Sequence, residues 1–502
     1  MIDTLYAVSR IPEWKGVAQK LLDSYRIQPV YWICSQEYKA DIESAFPGVI
    51  YHETVDANRG IFPDAVQTRN RLNKQVILEY AELEREFYVM LNRHDLDGSF
   101  SYEERKRLYY SQLNYWLNLL IESSIELVLF SETPHAISHF VLYAVCRKLG
   151  IQTAMLSLTT IPGTLFVKCE FSDIPSVRVE CKDEDKLSIL IQKNVDTVRN
   201  SEDKPWYMLK QHRNFIKAGY TIRLQALAMF IPLILEKISL KRRKSYKSFY
   251  KHQGVPFEKS MLTRSQFAFK RVELRRRQAR LRASYRKRSR EPDLNLRYLY
   301  YPLHFQPERS SCPEGSVFAD QQLLIGLIAD RLPPDTWLYI KEHPSQFMMT
   351  RGALGRPPMF YEDILRHPRV VLVDDSFSSR QLIDHSLAVV TLTGTAGLEA
   401  LLRGKPALIF GYAWYRNFPG VYTLEDETGL DRILSQVNRP HDWTVDDVLE
   451  TIEEQKKFLF PGYVTRWSSN SITMSEEENT EALYQGFSAL LKHLGYKEIH
   501  EQ

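Results

Sequence analysis

The stretch LAVVTLTGTAGLEALLRGKPALIF, residues 387–410, decides the fold class. Leu387–Thr391 has the apolar density of a buried strand, and small residues lead from it into a helical segment. Gly404-Lys-Pro then precedes a second apolar strand, Ala407–Phe410. A strand, a helix and a strand in this order form a βαβ unit, whose two strands lie parallel in one sheet. This stretch therefore predicts an α/β fold.

The same alternation of strands and helices extends through both halves of the chain. Two α/β domains that face one another create a cleft at the carboxyl ends of their strands, where such sheets bind ligands. The other predicted strands are Thr4–Val8, Pro29–Cys34, Val49–His52, Ile125–Phe130, Ile151–Leu156, Leu296–Pro302, Trp337–Lys341 and Val370–Val373. The predicted helices of the first half are Trp14–Tyr25, Glu37–Phe46, Val66–Leu91, Tyr102–Glu122 and Ile137–Leu149.

These patterns divide the chain into four parts. Residues 1–184 are predicted to form an N-terminal α/β domain and residues 296–455 a C-terminal one. Between them, residues 185–295 lose the strand pattern and become helical and basic, as an insertion or linker. Residues 456–502 are predicted to close the fold with helices, the last of them at Ser475–Leu494.

Length and composition exclude several classes of protein. A chain of 502 residues, 44% of them hydrophobic, is long enough for two or three domains. The five scattered cysteines include no CxxC pair, which argues against a disulfide framework and a zinc site. Asp3 lies where a signal peptide would be apolar, and the longest apolar stretch, Ala226–Leu235, is far shorter than the about 18 residues of a membrane span. We therefore expect a cytoplasmic protein.

Two loops follow predicted strands of the C-terminal half and suggest a phosphate site. Thr393-Gly-Thr-Ala-Gly397 is a turn of small residues into a helix, where backbone N–H groups and the helix dipole favour an anion. Thr393 and Thr395 add hydroxyl donors, and Glu399 is placed to accept from ribose hydroxyls. Lys341-Glu-His-Pro344 is the second loop. Taken alone, the first turn is typical of a helix N-cap with packing residues, but the pair of loops favours a phosphate site.

A third loop, Tyr300-Tyr-Pro-Leu-His-Phe-Gln-Pro-Glu308, completes a pattern that resembles capsule and surface polysaccharide biosynthesis proteins. Among these, it resembles bacterial Kdo transferases of capsule assembly. More distantly it is similar to CDP-glycerol polymerases and to bacterial sialyltransferases of the two-domain architecture called GT-B. The resemblance covers about 150 residues of the C-terminal half, and it implies two Rossmann-like domains.

The resemblance implies a nucleotide-activated sugar, a CMP-sugar as first choice, held by the C-terminal domain, with the acceptor on the N-terminal domain. It also implies activity without a metal or other cofactor, because helix N-termini and side chains neutralise the phosphate. The residues it assigns to the nucleotide and phosphate are Lys341, His343, Pro344, Thr393, Gly394, Thr395, Gly397 and Glu399. His304 and Glu308 line the donor site in one interpretation, and in the other they belong to a structural loop held by its two prolines.

Glycosyl transfer also requires a carboxylate or a histidine near the sugar. Glu132 and His135, directly after the strand Ile125–Phe130, are the first candidates. Helix capping by Ser131, Glu132 or Thr133 is an equally supported alternative. Asp56 and Asp97 are weaker candidates. The segment from Asp95 resembles a calcium loop, but its glycine is at the fourth position rather than the sixth, so we expect a turn.

Residues 241–290 carry 19 lysine and arginine residues and only two acidic ones. No nucleic-acid-binding motif accompanies this basic block, so we expect no nucleic-acid partner. Attraction to anionic lipid, at about 1 kcal/mol per basic residue, would hold the protein at the inner face of the plasma membrane. A solvated interdomain segment is the alternative.

The sequence therefore predicts a glycosyltransferase of surface polysaccharide assembly with a nucleotide-sugar donor and a glycan or lipid-linked acceptor. A nucleotide-sugar epimerase of the same architecture is one alternative. A membrane-associated assembly factor without activity is the other.

Overall fold

The computed structural model describes residues 1–95, 100–200, 264–424, 427–437 and 439–499. Within these residues the chain forms two mainly parallel sheets covered by helices, so the predicted α/β class is confirmed. Asp97, the segment Ala226–Leu235 and residues 241–263 of the basic block lie outside the described residues. No helix among the described residues is long and apolar enough to cross a membrane.

The first sheet is built mainly from the N-terminal third of the chain. Its strand order is β13-β6-β5-β4-β1-β2-β3, and the strands β1 to β5 pair in parallel. The strands β6 and β13, which were not predicted from the sequence, add two antiparallel pairings at one side of the sheet. The bounds are β1 Ile2–Ala7, β2 Ile27–Cys34, β3 Ile50–Glu53, β4 Ile125–Phe130, β5 Gln152–Leu158, β6 Thr164–Lys168 and β13 Phe460–Pro461.

The second sheet is parallel throughout, with the strand order β12-β11-β10-β7-β8-β9. Its five predicted strands are present, and β12 at the edge is an addition. The bounds are β7 Arg297–Pro302, β8 Thr336–Lys341, β9 Val370–Leu372, β10 Ala388–Thr391, β11 Ala407–Ile409 and β12 Val421–Thr423.

Four of the five helices predicted for the first half begin and end within two residues of the predicted positions. Tyr102–Glu122 and Ile137–Leu149 agree with the sequence, and a capping box of Ser101 and Glu104 starts the former. The other α-helices of the described residues are Glu13–Tyr25, Lys39–Ala45, Thr54–Arg59, Lys74–Glu79, Ala81–Leu91, Glu184–Asn200, Arg264–Arg288, Gln321–Arg331, Pro344–Met348, Phe360–Ile364, Ser379–His385, Thr395–Leu401, Glu427–Gln436, Val445–Gln455 and Glu476–His493.

The predicted helix Val66–Leu91 is wrong over its first eight residues. Helical structure starts only at Lys74, where the Asn73 side chain caps it by accepting from the Val76 N–H. The preceding chain is held instead by side chains of the neighbouring helix, because Asn118 accepts from the Arg69 N–H and donates to the Arg69 carbonyl. These side-chain contacts satisfy backbone groups that a helix would otherwise pair.

Half of the basic block forms a helix, Arg264–Arg288, that packs on the second sheet's unit. Four of its residues, Leu274, Gln278, Leu281 and Tyr285, are buried at helical spacing. The Tyr285 hydroxyl donates to the Val373 carbonyl and accepts from the backbone N–H of Glu342. It therefore contacts the residues that directly follow β8 and β9. From about residue 274 onward, the predicted linker therefore contributes to the core of the C-terminal unit.

The last helix, Glu476–His493, packs against the first sheet rather than the second. Leu483, Phe487 and Leu490 share an apolar cluster with Trp14 of the first helix. The chain thus returns to the N-terminal unit after crossing the C-terminal one. A further cluster joins the two units, since it contains Phe166 of β6, residues of the helix Glu184–Asn200, and Leu401 and Trp414.

Candidate functional site

The order of the strands places the candidate residues where ligands bind in open α/β sheets. The direction of strand order reverses between β1 and β4 in the first sheet and between β7 and β10 in the second. Ligands bind beyond the carboxyl ends of the strands at such reversal points. Glu132 follows β4, the loop of His304 and Glu308 follows β7, and the Thr393 turn follows β10. The candidate loops therefore gather at both reversal points.

His304 fixes the turn after β10 from the neighbouring loop. Its Nε2 accepts from the backbone N–H of Leu392 at 3.1 Å and from the Thr391 hydroxyl at 2.8 Å. The Thr391 hydroxyl oxygen in turn accepts from the Gly394 N–H at 3.1 Å. Burial lowers the pKa of His304 to about 3, so the ring is neutral and carries its proton on Nδ1. These bonds favour the structural interpretation of His304.

The turn itself corrects one predicted role. The sequence predicts that the Thr393 hydroxyl donates to a phosphate, but in the structure it donates to the Ser310 carbonyl at 2.9 Å. Thr395 is exposed at the start of the helix Thr395–Leu401, and its hydroxyl bonds to the Glu399 side chain. Burial raises the pKa of Glu399.

Both glycines of the turn are required by packing. A Cβ at Gly394 would meet the Thr391 hydroxyl oxygen at 2.8 Å, and one at Gly397 would overlap the Tyr415 hydroxyl. That hydroxyl donates to the Gly394 carbonyl. The packing interpretation of the small residues therefore holds here, and it also explains how the turn keeps its shape.

His343 begins the short helix Pro344–Met348. Its Nδ1 accepts from the Ser345 N–H at 3.1 Å, which leaves the ring proton on Nε2. Burial lowers the pKa of His343 to about 4, and Glu342 opposes that shift. The side chain is therefore a neutral donor held by its own helix. It lies close enough to His304 to interact with it electrostatically.

The side chain of Lys341 is directed away from His304 and His343. Its Nζ donates to the Phe377 carbonyl, in the loop after β9, and to the hydroxyl of Ser379, at the start of the next helix. The predicted phosphate contact of Lys341 therefore lacks support from its position, because its ammonium group already holds that loop.

A buried ion pair that was not predicted from the sequence lies under the His343 loop. The carboxylate of Glu342 accepts two hydrogen bonds from Arg356, at 2.9 and 3.0 Å, and both side chains are fully buried. The same carboxylate accepts from the Tyr361 hydroxyl and the His343 N–H. Arg356 also donates to the His304 carbonyl at 2.8 Å. The pair thus ties the loop after β8 to the loop after β7.

On the N-terminal side, the structure rejects the capping alternative for Glu132. The helix that follows starts at Ile137, and its N-cap is Ala136, with no side-chain hydrogen bond. Glu132 instead faces the C-terminal unit, where Arg309 lies 3.4 Å from its Oε2. Burial raises the pKa of Glu132, and Arg309 opposes the shift. A partly buried carboxylate at a strand end, facing the opposite unit, suits a catalytic base or nucleophile.

His135 lies beside Glu132 but forms no ion pair with it. Its Nδ1 donates to the Thr133 carbonyl at 3.0 Å and is 3.9 Å from Glu132 Oε2. Burial, with Arg93 and Arg309 nearby, lowers the pKa of His135 to about 3, so the ring is neutral. The lone pair of its Nε2 is then available as a hydrogen-bond acceptor.

Asp56, one of the two weaker candidates for the catalytic carboxylate, lies in the first turn of the helix Thr54–Arg59.

Several cations of this region were not anticipated from the sequence. Arg93 donates to the carbonyls of His135 and Cys312, so it links the two units, and burial lowers its pKa to about 10. Lys168, at the end of β6, is 3% exposed and donates to the Phe171 carbonyl, and burial lowers its pKa to about 8.

The predicted donor-site residue Glu308 lies among these cations. Burial raises the pKa of Glu308, and Arg351, Arg93 and Arg309 oppose that shift.

One loop connects the two halves of the site. Adjacent residues of this loop make the two contacts: Arg309 pairs with Glu132 of the N-terminal unit, and the Ser310 carbonyl accepts from Thr393. Cys312 of the same loop packs in an apolar cluster of the N-terminal unit. Within the described part of the chain, no group of three or more His, Cys, Asp or Glu side chains is arranged to hold a metal ion.

Comparison with known proteins agrees with the resemblance seen in the sequence. Residues 214–442 match the family described as capsule polysaccharide biosynthesis protein, and the resemblance is confirmed over this segment. The chain is 31% identical over 121 residues to the capsule polysaccharide modification protein LipB of Neisseria meningitidis. It is 37% identical over 83 residues to protein FixF of Sinorhizobium fredii. The matches span 22% and 16% of this chain, and only 26% and 18% of those relatives.

Among solved structures, the chain is similar to KpsC of Thermosulfurimonas dismutans, a beta Kdo 2,7 transferase. The identity is 11%, the TM-score is 0.30, and the match covers 82% of this chain and 97% of that one. A UDP-GlcNAc 2-epimerase of Methanocaldococcus jannaschii gives 11% identity and a TM-score of 0.25 over 90% of this chain and 99% of that one. These scores are too low for the likeness to indicate an activity.

Proposed function

We propose that this chain is a glycosyltransferase of capsule or other surface polysaccharide biosynthesis. It transfers a sugar from a nucleotide-activated donor, a CMP-sugar as first choice, to a glycan or lipid-linked acceptor. The proposal rests on the contacts of two adjacent residues, Arg309 and Ser310. Because Arg309 pairs with Glu132 and the Ser310 carbonyl accepts from Thr393, the carboxylate at the end of β4 in the N-terminal unit lies beside the turn after β10 in the C-terminal unit. The family match over residues 214–442 supports the polysaccharide pathway.

In this proposal the donor nucleotide binds at the reversal point of the second sheet. His343 donates from Nε2 to a phosphate oxygen, and the backbone N–H of Thr395 supplies a further donor, since the N–H of Gly394 is already bonded to the Thr391 hydroxyl. The proposed boundary of this donor-binding domain remains 296–455, to which the helix Arg264–Arg288 contributes packing. Neutralisation by backbone and side-chain donors makes a bound metal unnecessary, so we propose metal-independent transfer.

Glu132 acts at the sugar in the same proposal. In one form of the reaction it acts as a general base: it takes the proton of the acceptor hydroxyl, whose oxygen bonds to the anomeric carbon as the bond from that carbon to the nucleotide phosphate breaks. In the other form it acts as a nucleophile: its carboxylate bonds to the anomeric carbon as the nucleotide leaves, and the acceptor hydroxyl then displaces the carboxylate. His135, neutral and with its Nε2 lone pair available, accepts a hydrogen bond from an acceptor hydroxyl. Arg93 holds the His135 carbonyl and so fixes the position of this loop.

Nucleotide binding is tested by thermal shift of the full chain with CMP, CDP, UDP and GDP. A nucleotide at about a hundred times its dissociation constant stabilises the native state by about 2.7 kcal/mol, which raises the melting temperature by several degrees. A shift with one of them supports the donor site and narrows the sugar class. No shift with any of the four would contradict it.

The variant His343→Asn tests the phosphate contact in particular. Asparagine keeps an acceptor for the Ser345 N–H and so preserves the helix cap, but it removes the Nε2 donor. We expect nucleotide affinity to fall about 10- to 100-fold, since a hydrogen bond to a charged group contributes about 1.5–3 kcal/mol. The readout is calorimetric titration with the nucleotide found by thermal shift.

The matched control for this variant is His367→Asn. His367 precedes β9 and so lies at the amino end of the second sheet, where it faces Asp330. Its replacement should leave nucleotide affinity unchanged. Equal affinities in wild type and His343→Asn would remove His343 from the donor site.

We also propose that the basic helix attaches the protein to an anionic membrane at the inner face of the plasma membrane. Arg276, Arg280 and Lys287 recur on its outer face and are exposed, opposite the buried seam. Replacing all three with glutamine should weaken binding to vesicles with phosphatidylglycerol by about 100-fold, at about 1 kcal/mol per residue. Co-sedimentation measures this, and vesicles of phosphatidylcholine alone are the control. Unchanged binding of the triple variant would contradict the proposal.

A further inference from the structure

Arg309 lies between two carboxylates that belong to different units. Its Nη1 is 3.4 Å from Oε2 of Glu132 in the N-terminal unit, and its Nε is 3.5 Å from Oε1 of Glu314 in its own loop. All three side chains are largely buried, with 22%, 18% and 10% of their areas exposed. Both distances are at the long end for a charged hydrogen bond. One guanidinium group is therefore shared between two acids.

The loop that carries Arg309 is held from both sides. Arg93 of the N-terminal unit donates to the Cys312 carbonyl, and Thr393 of the C-terminal unit donates to the Ser310 carbonyl. Cys312 is 3% exposed and packs in the core of the N-terminal unit. The guanidinium of Arg309 is thus positioned by contacts on both units, and its pairing with Glu132 depends on the two units being together.

We propose that Arg309 is a positioning residue that keeps Glu132 ionised and oriented in the assembled cleft, and that Glu314 competes for the same guanidinium. The inference rests on the proposed function, in which Glu132 acts at the sugar as a carboxylate. When the units separate, Glu132 loses this cation, so the carboxylate is prepared for reaction only where both halves of the site meet.

The charges around Glu132 determine whether each substitution raises or lowers its pKa. The groups facing it are Arg309, Glu314 and Arg93, together with neutral His135. Burial raises the pKa of Glu132, Arg309 and Arg93 lower it, and Glu314 raises it. Removing Arg309 must therefore raise this pKa further, whereas removing the charge of Glu314 must lower it.

The test follows the titration of Glu132 directly, without a substrate. The full chain is labelled with carbon-13 at the side-chain carboxyl of glutamate, and the Glu132 signal is assigned from its loss in Glu132→Gln. We expect the midpoint to rise by about one pH unit or more in Arg309→Gln, since a cation at this distance shifts a carboxyl pKa by about 1–3. Arg309→Lys should keep the midpoint near that of wild type, and Glu314→Gln should lower it.

The matched control is Arg351→Gln. Arg351 belongs to the same region, but its charge acts on Glu308 and Arg93 rather than on Glu132. Its replacement should leave the Glu132 midpoint in place, and circular dichroism verifies that each variant is folded. An unchanged midpoint in Arg309→Gln, or shifts of equal sign in Arg309→Gln and Glu314→Gln, would overturn the inference. Because no substrate is used, this failure is distinct from an absence of transferase activity.

Discussion

Replacing Arg356 with methionine will lower the free energy of unfolding by about 3–5 kcal/mol. The substitution leaves the carboxylate of Glu342 buried without its cation, and removing one partner of a buried ion pair has a cost of this size. The substitution also removes the hydrogen bond that Arg356 donates to the His304 carbonyl. Denaturant unfolding, followed by a probe in the C-terminal unit, measures the change.

Two further variants separate this effect from a general loss of charge. Arg366→Met removes an exposed arginine, 77% accessible, that pairs with Asp363, and it should change stability by less than about 0.5 kcal/mol. The double variant Arg356→Met/Glu342→Gln should be more stable than Arg356→Met alone, since it removes the unpaired charge and keeps a side chain that can accept from Tyr361. A loss below about 1 kcal/mol in Arg356→Met would show that the pair is not buried in solution.

The variant Glu132→Gln should reduce turnover by about 10²- to 10⁴-fold while nucleotide affinity stays the same. A positioned general base accelerates proton transfer by this factor, and the carboxylate lies on the unit opposite the proposed donor site. The measurements are initial rates of transfer and calorimetric nucleotide titration on the same preparations.

Glu126→Gln is the matched control for this substitution. Glu126 lies on the same strand, β4, but its side chain is exposed, so its replacement should leave turnover unchanged. If Glu132→Gln retained the turnover of wild type, Glu132 would have no role in the chemistry, and the carboxylate would serve only to pair with Arg309.

The strands and the loops that follow them were predictable from the sequence. Runs such as Ile125–Phe130 are apolar because parallel strands are covered on both faces, and this density is visible without partners. The positions of Glu132 and Thr393 at strand ends followed directly. The reversal of strand order, which brings their loops together, depends on which strands pair and has no local signal.

The pairings inside the site could not be predicted for the same reason. Glu342 belongs to a recognised motif, but its partner Arg356 is fourteen residues away in an irregular segment, and Arg309 meets Glu132 across 177 positions of sequence. Lys168 lies on β6, an antiparallel strand that the parallel pattern did not indicate. The basic helix was predicted as part of a linker because most of its residues are charged or polar. Its few buried residues, which include Leu281 and Tyr285, are too widely spaced to stand out in the sequence.

The central claim is glycosyl transfer, and its most direct test is an incubation of the full chain with radiolabelled CMP-, UDP- and GDP-sugars. Each is supplied with and without a membrane and glycan fraction, in the presence of EDTA. We expect label to enter the fraction from one donor, with release of its nucleotide, and we expect Glu132→Gln to slow the transfer by about 10²- to 10⁴-fold. A nucleotide sugar converted equally well without the fraction would indicate an epimerase, and no conversion of any donor would contradict the account.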